Sequence, residues 1–253
     1  MQPMMNRLTK LLALNRSSPR DYKIEAAADG DSASIYLYDV IGYDFWSGGG
    51  VTAKQFARDL QALNGKPLSL HINSPGGDVF EGRAMAAALQ SYTGKVTAHI
   101  DGLAASAASF LVMHADEIVM TDGSFMMIHN GWTVAMGDRH SMLETAGLLE
   151  KIDASIIDDY SKRTTADREQ LAAWMDAETW FTAAEAVENG FADRIATASD
   201  KGSAKASAWN VAAYDHPPEP LVAEAPEETP EHDFAAAHEH RLRMLATVET
   251  HPA

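Results

Sequence analysis

The sequence predicts an α/β domain over residues 34–197, on three observations. Strand-like and helix-like runs alternate there at lengths suited to parallel strands covered by helices. A glycine pair, Gly76-Gly77, separates one such strand from the helix after it. The composition, 46% hydrophobic and 22% charged over 253 residues, suits a globular chain with one substantial core plus extra segments.

The strands read in order as Ile35–Val40 (IYLYDV), Leu68–Asn73 (LSLHIN), Lys95–Asp101 (KVTAHID) and Glu117–Met120 (EIVM). Each is a short run rich in β-branched or large apolar residues, bounded by turn formers. Helical spacing fills the intervals. Thr52–Leu63 puts Phe56, Leu60 and Leu63 on one face, Val79–Gln90 follows the glycine turn, and Met142–Tyr160 aligns Leu149, Ile152, Ile156 and Tyr160. Thr182-Ala-Ala-Glu185 has the form of a capping box and predicts the start of the last helix of the domain.

The flanks differ in composition. Residues 1–33 read as a loosely structured lead-in, with a small polar linker at Ala26–Ala33. The apolar patch Leu8–Leu14 is interrupted by Thr9 and Lys10 and is not read as a signal peptide. Residues 198–253 read as an acidic tail. Five of the ten prolines fall between Pro217 and Pro230, which predicts a disordered linker, and residues 233–249 regain helical character. Trp209–Tyr214 (WNVAAY) reads as an extended segment outside the domain, exposed enough to be a site of self-cleavage. His238 and His240 read as solvated tail residues rather than metal ligands.

The net charge of −16 repels phosphate backbones and argues against general nucleic-acid binding. The charge is uneven: residues 1–24 carry Arg7, Lys10, Arg16, Arg20 and Lys23 against Asp21 alone, whereas residues 200–253 carry ten acids against four bases. With no cysteine, disulfides, cysteine nucleophiles and thiolate metal sites are excluded, and a reducing compartment fits. No run of about 18 apolar residues predicts a membrane span. The expected location is cytoplasmic.

Four motifs carry residues suited to chemistry. Asn73-Ser-Pro-Gly-Gly77 joins a strand to a helix, and its glycines permit close approach and leave N–H groups free for a developing negative charge. A tight turn with no further role would look the same. Asp101–Phe110 (DGLAASAASF) places Ser106 at the start of a helix of small residues, beside unpaired N–H groups. Close helix packing also explains such a run. Met126-Met-Ile-His129 ends an apolar run with a candidate general base, although His71, His99, His114 and His140 compete with it. Met175-Asp-Ala-Glu178 offers two acids that could orient a histidine or simply lie solvated in a loop.

Taken together and in order, INSPGGD at 72–78, GLAASAAS at 102–109, MMIHN at 126–130 and ETWFTAAEAVENGFAD at 178–193 resemble the Clp protease proteolytic subunit family. The resemblance implies a ClpP/crotonase-like fold of repeated β-β-α units and a Ser-His-acid triad that needs no metal or organic cofactor. Matched position by position, Ser106 is the nucleophile, His129 the base and Glu178 the acid, where the family usually has Asp. Asp176 is the rival acid. The implied oxyanion donors are the backbone N–H groups of Gly77 and Ala107. The resemblance also implies a homo-oligomeric ring acting on polypeptides. Within the family, YDVIGYDFWSGGGVTAKQFARDL and the acidic tail resemble the Clp-related head maturation proteases of tailed phages and prophages, which cut capsid and scaffold proteins. The alternatives are a housekeeping Clp-type peptidase working with an ATPase, a crotonase-type acyl-CoA enzyme, and a non-enzymatic assembly protein.

Overall fold

The structure, a computed structural model, describes residues 7–27, 30–43, 49–197 and 209–219. The elements run α1 (Arg7–Leu14), β1 (Asp21–Ala26), β2 (Ala33–Tyr38), α2 (Ala53–Ala62), β3 (Leu68–Ser74), α3 (Val79–Ser91), β4 (Val96–Ala105), α4 (Ala107–Val112), β5 (Glu117–Met120), β6 (Phe125–Ile128), α5 (Arg139–Tyr160), α6 (Arg168–Asp176), β7 (Thr179–Thr182), α7 (Ala183–Glu188) and β8 (Arg194–Ile195). This is a mixed α/β fold. One sheet has the order β1-β2-β3-β4-β5-β8, with β6 paired to β4 and β7 paired to β6. The ladders are parallel except β1–β2 and β6–β7.

The central strands are buried almost throughout, as expected of parallel strands covered on both faces. On one face Ile35, Leu70, Ile100, Phe56, Met85 and Phe110 belong to the main core under the helices. Local chemistry sets the helix starts. Thr52 Oγ1 accepts the Gln55 N–H at the head of α2, and Asp78 accepts from Phe80 and Glu81 at the head of α3. The capping box expected at Thr182 and Glu185 forms at α7, with both reciprocal bonds present.

The strand and helix centres lie where the sequence pattern places them, but several segments differ. The lead-in contributes α1 and β1, the latter an antiparallel partner for β2. β1 is mostly polar and largely exposed, so alternation does not mark it, and α1 is the interrupted apolar patch, only eight residues long. The loop expected at Met175–Glu178 is in part the end of α6, which Asp167 caps and which buries Leu171 and Met175 one turn apart. Trp209–Tyr214 is not an exposed segment. Trp209, Val211, Ala213 and Tyr214 are buried with Leu11 and Leu12 of α1 on Val40, Leu103, Ala105 and Met127. That burial removes the exposure on which a self-cleavage site there depended. The expected tail helix at 233–249, His238, His240 and the prolines from Pro220 on lie outside the described residues. Among the described residues no helix is long and apolar enough to cross a membrane.

Strand β4 organises the site. Its first half, Thr97–Ile100, pairs with β5, and its second half, Leu103–Ala105, pairs with β6. Splitting its partners in this way opens the sheet at the end of β4, where α4 begins.

Candidate active site

Ser106 sits between β4 and α4 with φ 54° and ψ −120°. Few residues other than glycine adopt that conformation, and it stores about 1–3 kcal/mol of strain. The surroundings fix it. The Ser106 N–H donates to Met127 O at 2.9 Å, extending the β4–β6 ladder by one residue, while Ser109 Oγ donates to Ser106 O at 2.6 Å. The sharp turn lifts the hydroxyl out of the sheet at the N-terminus of α4.

The same ladder delivers the histidine. Ala105 pairs with Met127, so His129 leaves β6 beside Ser106. Its Nε2 lies 2.8 Å from Ser106 Oγ. The antiparallel β6–β7 pair matches Ile128 with Thr179, and one further step brings Glu178 opposite His129. Glu178 is buried at 5% exposure and holds φ 50° just before β7. Two strand registers therefore bring Ser106 and His129 into contact and set Glu178 nearby, from distant parts of the chain.

The competing histidines lie elsewhere. His71 Nδ1 is 2.7 Å from Asp101 Oδ2 and its ring stacks between Tyr36 and His99. His114 lies against Gln90 and Asp159, and His140 sits in the first turn of α5. Of the two acids, Asp176 is exposed and accepts from Asn130 Nδ2 at 2.6 Å, so it does not face His129.

The glycine turn touches the serine directly. A Cβ on Gly76 would lie 2.7 Å from Ser106 Cβ and 3.0 Å from Ala107 N. Gly77, at φ +151°, approaches Ile41 so closely that a Cβ would fall 2.0 Å from Ile41 O. Ile41 N bonds to Gly76 O and Ile41 O accepts from Asp78 N, which by parallel-ladder geometry turns the Gly77 N–H to the other side. Ala107 is the first residue of α4, where an N–H has no intrahelical acceptor. Gly77, Ser106, Ala107 and His129 all line one cleft of about 380 Å³, whose apolar wall includes Phe110, Ile152, Ile156 and Tyr160.

The acid does not bond the imidazole directly. Arg7 of α1 stands between them, its Nη1 3.3 Å from His129 Nδ1 and 3.2 Å from Glu178 Oε2, while Nη2 pairs with Asp215. Glu178 Oε1 accepts the His216 N–H at 2.8 Å and Trp180 Nε1–H at 3.5 Å. The direct carboxylate–imidazole bond expected from the resemblance is thus replaced by a shared guanidinium. Tyr214 packs edge-on to His129, with ring centres 5.5 Å apart, and donates its hydroxyl to Pro75 O at 2.6 Å. Burial, and then the neighbouring Glu178 carboxylate, push the phenol of Tyr214 up. Sequence patterns did not single out Tyr214, Asp215 or His216 as neighbours of the site, nor Arg7. No spacing rule links them to a motif, and the only visible trace of Arg7 was the basic lead-in.

Burial first, and the Arg7 charge second, lower the His129 pKa from 6.5 to about 4, with Asp215 opposing. In the native protein His129 therefore stays neutral until well into acid, whereas the unfolded chain takes up that proton near 6.5. The unfolded state binds more protons between those values, so this group's contribution to stability is complete above about 6.5 and declines as pH falls toward 4. A proton NMR titration of the His129 ring is expected to give a midpoint near 4 in the native protein. A midpoint at or above 6.5 contradicts the burial and cation contacts described.

The sequence pattern of the Clp protease family matches residues 50–199. The ATP-dependent Clp protease proteolytic subunit 1 of Protochlamydia amoebophila is 31% identical over 169 residues, covering 65% of this chain and 81% of the relative. The subunit of the same name from Chlamydia muridarum is 35% identical over 157 residues, covering 57% and 81%. The ATP-dependent Clp protease proteolytic subunit of Bacteroides thetaiotaomicron is 30% identical over 133 residues, covering 52% and 60%.

Proposed function

Because the chain belongs to the Clp protease family, whose members are peptidases, we propose that it is a serine endopeptidase with Ser106 as nucleophile, His129 as base and Glu178 as the acid behind it. The observation that carries this reading is the 2.8 Å approach of His129 Nε2 to Ser106 Oγ at the edge of an apolar cleft. In the working state His129 takes the proton from Oγ as Oγ bonds to the peptide carbonyl carbon. The oxyanion that forms is bound by the Gly77 and Ala107 N–H groups. His129 then gives its proton to the leaving amine, and water, deprotonated by the same imidazole, releases the acyl group. The Glu178 carboxylate fixes the imidazole tautomer and stabilises the imidazolium. The catalytic domain spans residues 34–197.

The substrate class follows from the finer resemblance. Capsid and scaffold polypeptides of a phage head are the proposed substrates, supported by the segment from Tyr38 to Leu60 and by the acidic tail. The names of the relatives support the other assignment, a proteolytic subunit serving an ATPase. Assembly as a homo-oligomeric ring is proposed on family grounds. It is supported by exposed apolar side chains along the segment after the histidine, among them Val134, Met136, Leu143 and Leu148.

A fluorophosphonate probe tests the chemistry. Prolonged incubation of the folded protein is expected to leave the phosphonyl adduct on the peptide containing Ser106, and Ser106→Ala is expected to stay unlabelled. A folded protein that carries no adduct at Ser106 even after the Arg7 guanidinium is removed (Arg7→Met) overturns the serine assignment. Co-expression with a capsid precursor separates the substrate readings: equal processing by wild type and Ser106→Ala removes the head-maturation role.

A further inference from the structure

A guanidinium stands where a working triad needs a direct carboxylate–imidazole bond, and its chemistry has a consequence for the proton on His129. Arginine has donors and no acceptor. Its contact with His129 Nδ1 at 3.3 Å therefore requires a lone pair on that nitrogen. A neutral imidazole with its lone pair on Nδ1 carries its proton on Nε2. That proton points at Ser106 Oγ, 2.8 Å away, so the serine accepts the bond instead of donating it. In this tautomer His129 has no lone pair for the serine proton. Holding the histidine of a Ser-His-Asp triad in the wrong tautomer costs about 10⁴ in rate.

The same guanidinium holds Glu178 through Oε2, and the strap at 209–219 holds its Oε1 through the His216 N–H. Among the described residues, the groups around His129 are then Arg7 from α1 with Glu178 behind it, Tyr214 and Asp215 from the strap, and Ser106 from the β4–α4 turn. Arg7, Tyr214, Asp215 and His216 all lie outside residues 50–199, the part that matches the family.

We propose that Arg7 is a latch: α1 and the 209–219 strap hold its guanidinium between His129 and Glu178, fixing the histidine in its inactive tautomer, and displacement of α1 switches the peptidase on. This rests on the serine endopeptidase reading. The latch is built to be both specific and removable. Asn15 Nδ2 donates to Asn210 O and Asn210 N donates to Asn15 Oδ1, each at 2.8 Å, and Asp215 pairs with Arg7. Leu11 and Leu12 bury against Trp209, Val211 and Tyr214. An eight-residue helix has little stability of its own, so α1 stays helical only while those contacts last. Once Arg7 leaves, Glu178 gains a free oxygen opposite His129 and the Nδ1–H tautomer becomes the favoured one.

The test compares full-length wild type and Arg7→Met by fluorophosphonate labelling of Ser106 and by ¹⁵N NMR of the His129 ring. Wild type is expected to carry its proton on Nε2. Arg7→Met is expected to move that proton to Nδ1 and to label at least tenfold faster, with a matching rise in peptide hydrolysis. Measurable labelling of Ser106 at equal rates in the two proteins, or slower in Arg7→Met, overturns the latch while leaving the nucleophile in place. A tautomer switch with no labelling of either protein instead removes the serine reading and keeps the contact. The wild-type tautomer decides by itself should Arg7→Met not fold: a proton on Nδ1 in wild type ends the proposal.

Discussion

With Arg7 replaced by Met, so that the peptidase is unlatched, Ser106→Ala is expected to lower peptide hydrolysis by about 10⁴-fold or more, to the level that binding and oxyanion stabilisation alone provide. The reason is specific to the hydroxyl. The cleft, the Gly77 and Ala107 amides and the His129 imidazole all remain in that variant, and only the atom 2.8 Å from Nε2 is gone. The fall is expected in kcat, with KM little changed, because Oγ makes its bond in the transition state rather than on binding. A Ser106→Ala variant retaining a tenth of the Arg7→Met activity sinks the assignment. The same position has a second, separable signature. Serine and alanine there both carry a Cβ at φ 54°, whereas glycine relieves that strain. Ser106→Gly is therefore expected to be as inactive as Ser106→Ala but more stable in urea by about 1 kcal/mol, after its greater unfolded-state entropy is subtracted. An equal or lower midpoint argues that the turn is not strained.

Gly77→Ala is the second substitution with a large expected effect. Its Cβ falls 2.0 Å from Ile41 O, a backbone atom that accepts a hydrogen bond from Asp78 N, so no side-chain rotation relieves the clash. The turn must move, and with it the Gly77 N–H. Loss of one oxyanion donor lowers kcat by about 10²–10³. The backbone itself, at φ +151°, adds about 1–3 kcal/mol of strain for any residue with a Cβ. The variant is expected to lose activity by at least a hundredfold and to show a lower urea midpoint. Stability that falls while kcat stays at the wild-type value shows the turn to be structural only and removes Gly77 from the oxyanion site. Gly76→Ala provides a neighbouring comparison, since its Cβ would press on Ser106 Cβ and Ala105 O instead.

Much of the fold was legible because the signals are local. Alternation and helical spacing mark β2, β3, α2 and α3, and the capping box marks α7, since each depends on residues within one turn or one strand. The candidate serine, histidine and acid were legible for a different reason, the order of four motifs along the chain. Elements that lean on distant partners were not. β1 is a polar edge strand whose partner sets its conformation, and Trp209–Tyr214 is fixed by burial against Leu103, Ala105 and Met127. In both cases the stabilising surface comes from elsewhere in the chain, so the local sequence is silent about it.

Residue order alone specifies an α/β chain of the Clp protease type, with a small-residue helix after Ser106 and a glycine turn ready to approach it. That His129 lies beside Ser106, with Glu178 across the Arg7 guanidinium, comes from three dimensions, because two strand registers, β4 on β6 and β6 on β7, do the aligning. The fold also places Arg7, 122 residues from His129, between base and acid. A proton's position on an imidazole depends on what faces each nitrogen in space, and no pattern along the chain records that.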